Sequence, residues 1–252
     1  MELLPEPDVD QGEDGKTARQ GYFQNSPSGF EDFFDGIATG KIAIEASGAW
    51  QPVYDWLVER GLDVKLAHPQ KTRIIAEMKI KTDCRDSEAL ADMVRADLIP
   101  EVYVPCDDMR ELRGTAKQRG NLVQERSKFK NRIKDQLRKE GIEYGERNLW
   151  TNSGKQWLKD LEINAVNDFL EVLKTLNDRI SKLEEEIEEI AGDMEEARLL
   201  RTIPGVSYYT ALTIIAEIAT VDRFPSPGHL CSYAGLTPSV KQSGSKEVHG
   251  PI

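Results

Sequence analysis

Cysteine is scarce in this chain. Its 252 residues hold three, Cys84, Cys106 and Cys231, which form no CxxC pair and cannot build a disulfide framework. A reducing, cytoplasmic setting is therefore the simplest expectation. No apolar run approaches the roughly 18 residues that cross a bilayer, and the first residues lack the basic, apolar, small-residue order of a secretory signal. A membrane partner is thus not expected. The three histidines, His68, His229 and His249, show no metal-ligand spacing and read as packing or surface residues. Positive charge is also short overall, with 33 Lys and Arg against 44 Asp and Glu for a net charge of -11. That balance argues at first against a nucleic-acid partner, because phosphate binding needs a basic surface.

The charge that is present is unevenly placed. Residues 110–139 carry eleven basic side chains against Glu111, Glu125 and Asp135, a local balance of +8. Residues 182–196 carry Lys182 against eight acids, a balance of -7. The first segment suits a polyanion and the second would avoid one. Arg119, Arg126, Lys128, Lys130, Arg132 and Lys134 are accordingly the candidate nucleic-acid contacts.

Taken in order, residues 1–19 are acidic, broken by Pro and Gly, and expected to be irregular. Gly21, Tyr22 and Phe23 suit a short strand. Ser26 and Pro27 then have the signature of an N-cap followed by proline at the first helical position, with Phe30, Phe33, Phe34 and Ile37 on one face. Residues 41–46 read as a buried strand. Ala49, Val53, Trp56 and Leu57 make the inner stripe of a helix that Gly61 can end, and residues 64–68 form a second strand. Strand, helix, strand with tight connections implies a right-handed parallel crossover, hence an α/β sheet. Glu45 falls at the carboxyl end of the first strand, where such sheets collect ligands.

Residues 87–96 suit another helix, and Pro100 and Pro105 mark a linker. The basic segment follows as a helix with a narrow stripe of Leu122, Phe129, Ile133 and Leu137. The most regular pattern comes next: Val166, Phe169, Leu173, Leu176, Ile180, Leu183, Ile187, Ile190 and Met194 alternate steps of three and four, the seam of a coiled coil. Two long helices joined by about 25 residues would pair antiparallel or with another subunit. The chain from residue 201 reads as a small helical unit opened by the turn Ile203-Pro204-Gly205-Val206 and closed by a Gly/Ser-rich tail.

Three constellations carry chemistry. Asp83 and Asp86 are three apart and would share one helix face; with Glu45 they offer three hard oxygen donors for divalent metal and in-line phosphoryl transfer. The competing reading places both aspartates in a solvated first turn, where acids favour the helix dipole. The turn at Gly205 presents backbone N–H groups suited to a phosphate oxygen, or is an ordinary helix connector. The tail serines, Ser239, Ser243 and Ser245, show no local base and by themselves read as loop residues.

The order of IAIEASG, LAHP, KTDCRDSEALADMVRADLIPEVYVP, a basic helix, a heptad segment, LLRTIPGV and SYAGLTPSVKQSG resembles the DEDD-motif insertion-sequence transposases, the family of the Piv invertase and the bridge-RNA-guided recombinases. The likeness runs over roughly residues 20–252. It implies a RuvC/RNase H-like α/β domain at 20–105, a basic helix and coiled-coil arm at 106–198, and a small all-α C-terminal transposase domain at 199–252.

In that family four acids hold Mg²⁺ and act with a serine nucleophile that links covalently to DNA. By motif, Glu45, Asp83 and Asp86 match three of the acids and metal ligands, and Ser243 matches the serine, with Ser239 and Ser245 as neighbouring alternatives. The implied partners are insertion-sequence DNA ends and target, a structured guide RNA, and further copies of the chain in a dimer or tetramer. The family's opening strand, which carries its first Asp, has no counterpart here: Asp8 and Asp10 sit in the unpatterned stretch. The α/β domain is therefore expected to be incomplete, and the chain truncated at both ends. The alternative expectation is a non-catalytic, dimerising, nucleic-acid-binding remnant.

Overall fold

A computed structural model describes residues 7–11, 16–24, 26–37, 39–76, 83–238, 240–243 and 246–249, with side chains placed for most of 16–72 and for 87–238. Within it the chain divides into two compact units, Met1–Val104 and Pro105–Ile252.

The first unit opens with an antiparallel hairpin, β1 (Pro7–Gln11) and β2 (Thr17–Tyr22), in which Pro7 faces Tyr22. An irregular stretch is expected there, and the structure places a strand in it instead. Pairing with β2 outweighs the poor strand propensity of its acidic residues. Helix α1 (Pro27–Phe34) starts as its sequence predicts, with Ser26 Oγ accepting from the Gly29 N–H at 3.2 Å. Gly29 is needed at that turn, because a Cβ there would sit 2.2 Å from the Gln24 carbonyl oxygen. Phe23, Phe30, Phe34 and Trp56 pack edge-to-face or tilted, centroid separations running from 5.6 to 5.9 Å among the contacting pairs.

Strand β3 (Lys41–Glu45), helix α2 (Trp50–Glu59) and strand β4 (Asp63–Ala67) form the expected parallel unit, in register from Lys41 opposite Asp63 to Glu45 opposite Ala67. Leu57 of α2 is fully buried, and Gly61, at φ +78°, lets the chain turn back into β4. Helices α3 (Pro69–Ala76) and α4 (Asp83–Arg95) follow. Met93 and Val94 of α4 bury against Ala67 and Ile99, with Ala43 and Leu90 around them. After α4 the chain runs antiparallel beside β4, Val102 N–H donating to the Leu66 carbonyl at 2.7 Å and His68 N–H to that of Pro100 at 2.9 Å.

The second unit is built on two long helices, α5 (Asp107–Lys139) and α7 (Asn164–Asp193), with α6 (Asn152–Asp160) between them. Arg119 meets Glu184, Arg126 meets Asn177 and Phe129 meets Phe169, so the two run antiparallel. The buried residues of α7 are Val166, Leu170, Leu173, Ile180, Ile187 and Ala191. Val166, Leu173, Ile180 and Ile187 belong to the expected seam, while its Phe169, Leu176, Leu183 and Ile190 are only partly buried. Beside the seam the half-buried Asn177 and the exposed Glu184 receive Arg126 and Arg119 from α5.

Short helices α8 (Glu195–Leu200), α9 (Tyr208–Ile218) and α10 (Pro227–Tyr233) complete the helical part. Ala211, Leu212 and Ile215 of α9 bury against Ile187, Ala191 and Ala197. The C-terminal segment is not all helical: β5 (Val240–Ser243) and β6 (Lys246–His249) pair antiparallel.

Candidate functional site

Glu45 ends β3 beside Ala67, at the carboxyl edge of the parallel pair, and is partly buried. The next peptide holds that edge closed, Ala46 N–H donating to the Ala67 carbonyl at 3.0 Å. Helix α4, whose first turn contains Asp83 and Asp86, packs on β3. Asp97, just past the helix, pairs with Lys41 at 3.5 Å and with Lys65 at 2.9 Å. The side chains of Asp83 and Asp86 lie outside the described residues. Among the described ones, no three His, Cys, Asp or Glu groups stand together as a metal site. Three carboxylates are nonetheless the donor chemistry that a hard divalent cation takes.

Two further polar groups lie at the same edge, where the sequence reads His68 as a packing or surface residue and gives Thr72 no role. His68 immediately follows β4, and its Nδ1 and the Thr72 Oγ1 are buried without a hydrogen-bond partner. Orphaned buried polar atoms are uncommon and costly. The only sequence signal for them is the placement of His68 between a strand end and Pro69.

Midway along β4, Glu101 and Asp97 bracket Lys65, and their hydrogen bonds hold its ammonium above the usual lysine range. The same lysine pulls the Asp97 carboxyl below its usual range.

In the second unit Gly205 has φ +89° in the turn before α9. That helix is capped by Ser207 Oγ, which accepts from Thr210 N–H at 3.2 Å. Ser243 is the last residue of β5, opposite Lys246; its side chain, and all of Ser239 and Ser245, lie outside the described residues. His229 Nδ1 bonds Ser226 Oγ at 2.8 Å.

The basic helix divides along its length. Arg113 donates from Nε to the Ala216 carbonyl at 2.7 Å and from a terminal nitrogen to that of Glu217 at 2.8 Å, joining α5 to the carboxyl end of α9. Arg119 donates to Glu184 at 3.0 Å and stacks on Tyr209, 4.2 Å from the ring centroid. Lys128 pairs with Glu125. Among the described residues Arg126 reaches the Asn177 side-chain oxygen, at 3.4 Å, and Arg132 lies over Phe129 at 4.6 Å. Lys130 lies over Trp150, 5.0 Å from the centroid, and for Lys130 and Lys134 no carboxylate partner stands among the described residues.

A family model described as a transposase, DEDD type of IS110 elements, matches residues 11–141, more than half of the chain. A second model, the transposase IS116/IS110/IS902 family, matches residues 197–252. The chain belongs to the IS110 family of transposases. The first matched segment of this IS110-family chain contains Glu45, Asp83, Asp86 and all of α5, and the second contains Gly205 and Ser243. The chain is similar to the transposase for insertion sequence element IS1111A of Coxiella burnetii, 26% identical over 220 residues that cover 84% of this chain and 60% of that protein. It is 27% identical to the pilin gene-inverting protein of Moraxella lacunata over 82% of this chain and 59% of that protein. It is also 28% identical to the transposase for IS1533 of Leptospira borgpetersenii over 69% of this chain and 54% of that one. The IS110-family chain thus spans about three fifths of the length of the curated relatives it matches. No helix among its described residues is long and apolar enough to cross a membrane.

Proposed function

We propose that this chain is a DNA transposase or recombinase that cuts and rejoins strands at insertion-sequence ends and target DNA with Mg²⁺. The observation that carries this reading is the placement of Glu45 at the carboxyl edge of β3 together with α4, whose first turn holds Asp83 and Asp86, packed on that strand. Glu45, Asp83 and Asp86 would hold the ion, which when bound supplies neutralisation of charge on the phosphoryl oxygens. Ser243 is the proposed nucleophile. Its hydroxyl oxygen would bond to phosphorus as a sugar oxygen leaves with a proton, so the phosphodiester energy is kept for rejoining. The named functions of the relatives, transposition and pilin gene inversion, support the reaction class.

Partners follow from the same reading. The second half of α5, with Arg126, Lys130, Arg132 and Lys134, and the turn at Gly205 would grip DNA or a structured guide RNA. The partly buried Leu176 and Leu183 beside the α5–α7 seam would pack against another copy in a dimer or tetramer. A RuvC-like first domain and a coiled-coil arm are the fold proposed for the two units.

The test is nicking of supercoiled plasmid carrying element ends, with the cognate RNA supplied. Wild type is expected to nick with Mg²⁺, and Glu45→Gln and Ser243→Ala to fall to background while still binding the DNA. Binding without cleavage under any divalent cation would leave the second reading, a non-catalytic nucleic-acid-binding protein. That reading draws on one feature: the unmatched cations of α5 need no carboxylate site to bind phosphate.

A further inference from the structure

We infer that Arg126, Lys134 and Lys155, gathered about Lys130 where it lies over Trp150, form with it a binding site for the phosphodiester backbone of a nucleic acid that bridges α5 and α6. The inference rests on the nucleic-acid reading above and deepens it. It names a place and adds two residues, Lys155 and Trp150, that lie outside the basic run of the sequence.

Position comes first. Arg126, Lys130 and Lys134 are four residues apart and so lie along one face of α5, rising about 6 Å at each step. A row of charges at that spacing suits a repeating anion rather than a single carboxylate. The row is fixed rather than floppy at its centre. Lys130 is partly buried, its ammonium 5.0 Å from the Trp150 ring centroid, and Trp150 packs on the core of Ile133, Leu137, Leu158 and Val166. Lys155 joins from α6, which begins two residues after Trp150.

Charge comes second. Burial, and then Arg126, Lys155 and Lys134, push the Lys130 ammonium below the usual lysine range, and no carboxylate acts on it in the opposite sense. Arg126 has a neutral amide oxygen for its partner. Lys130, Lys134 and Lys155 have no carboxylate partner among the described residues. The chain is rich in acids, with 44 Asp and Glu, and it spends them elsewhere: Asp107 on Arg110, Glu125 on Lys128, Asp135 on Arg138 and Glu184 on Arg119. Cations gathered without a counter-charge repel one another, a cost that a bound polyanion would relieve.

The experiment uses the whole chain. Its lysines are acetylated with a limiting reagent, with and without saturating RNA hairpin, duplex DNA or polyglutamate, and read by peptide mass. Lys130, Lys134 and Lys155 should be protected by a nucleic acid and not by polyglutamate, and the two nucleic-acid arms tell RNA from DNA. In parallel, fluorescence anisotropy compares Lys130→Gln/Lys134→Gln/Lys155→Gln with a charge-matched control, Arg138→Gln/Lys159→Gln/Lys182→Gln. The first should lose about tenfold or more in affinity and the control less than threefold, with both retaining the wild-type circular dichroism. Wild-type binding without protection at these lysines, equal losses in the two variants, or equal protection by polyglutamate would overturn the site alone. Absence of any nucleic-acid binding by the wild type would overturn both the site and the reading beneath it.

Discussion

The two halves of α5 differ in charge and in use: residues 107–123 carry four basic side chains against three acids, and residues 124–139 carry seven against two. In the first half Arg110, Arg113 and Arg119 are taken up by Asp107, by the carbonyl end of α9 and by Glu184. In the second half Arg126, Lys130 and Lys134 face no carboxylate among the described residues, and Lys155 of α6 adds to them. A run of basic residues is therefore not one feature. Its first part pins helices together, and three cations of its second part have no carboxylate partner among the described residues.

The comparison can be broken most completely by removing the core under the second half. Leu137 is fully buried in a cluster with Ile133, Leu158 and Val166, and Leu137→Ala should cost about 2–5 kcal/mol in urea denaturation and weaken nucleic-acid binding with it. Next in size is Arg113→Ala. Its two hydrogen bonds to carbonyls are charge-assisted, but the side chain is 26% exposed, so a loss of about 1–2 kcal/mol is expected. Binding at temperatures where the variant is folded should stay unchanged.

Lys130→Met should act in the opposite direction, leaving the melting temperature equal to or above that of wild type. The sign follows from the lowered pKa. The folded state disfavours the ammonium, so the penalty is full below the folded pKa and lifts as pH rises from there toward the ordinary lysine value. Any melting advantage of Lys130→Met should therefore shrink in alkaline buffer. The smallest stability effect belongs to Lys134→Gln, within about 0.5 kcal/mol of wild type, yet it should lower the salt dependence of binding by roughly one unit of log–log slope.

Local chemistry made much of the first unit legible. Ser26 and Pro27 start α1, Gly61 ends α2, and β3, α2 and β4 form the parallel unit that their patterning implies. The carboxyl-edge position of Glu45 followed from strand direction. What escaped was long-range or conditional. Acidic β1 exists through its pairing with β2, and the β5–β6 hairpin through a four-residue match across Gly244 and Ser245. The seam of α7 is flanked by Asn177 and the exposed Glu184, whose partners lie on α5. For the same reason Arg119 reads as a phosphate contact in sequence and is found on Glu184 and Tyr209. Lys155 could not be grouped with Lys130, because only the fold of α6 brings it near.

The division along α5 is tested most directly by the slope of log binding constant against log salt for one RNA or DNA probe. Neutralising Lys130, Lys134 and Lys155 together should lower the slope by about two to three units, while Arg113→Ala leaves it at the wild-type value. Equal slopes for all three proteins, or a loss confined to Arg113→Ala, would contradict the account.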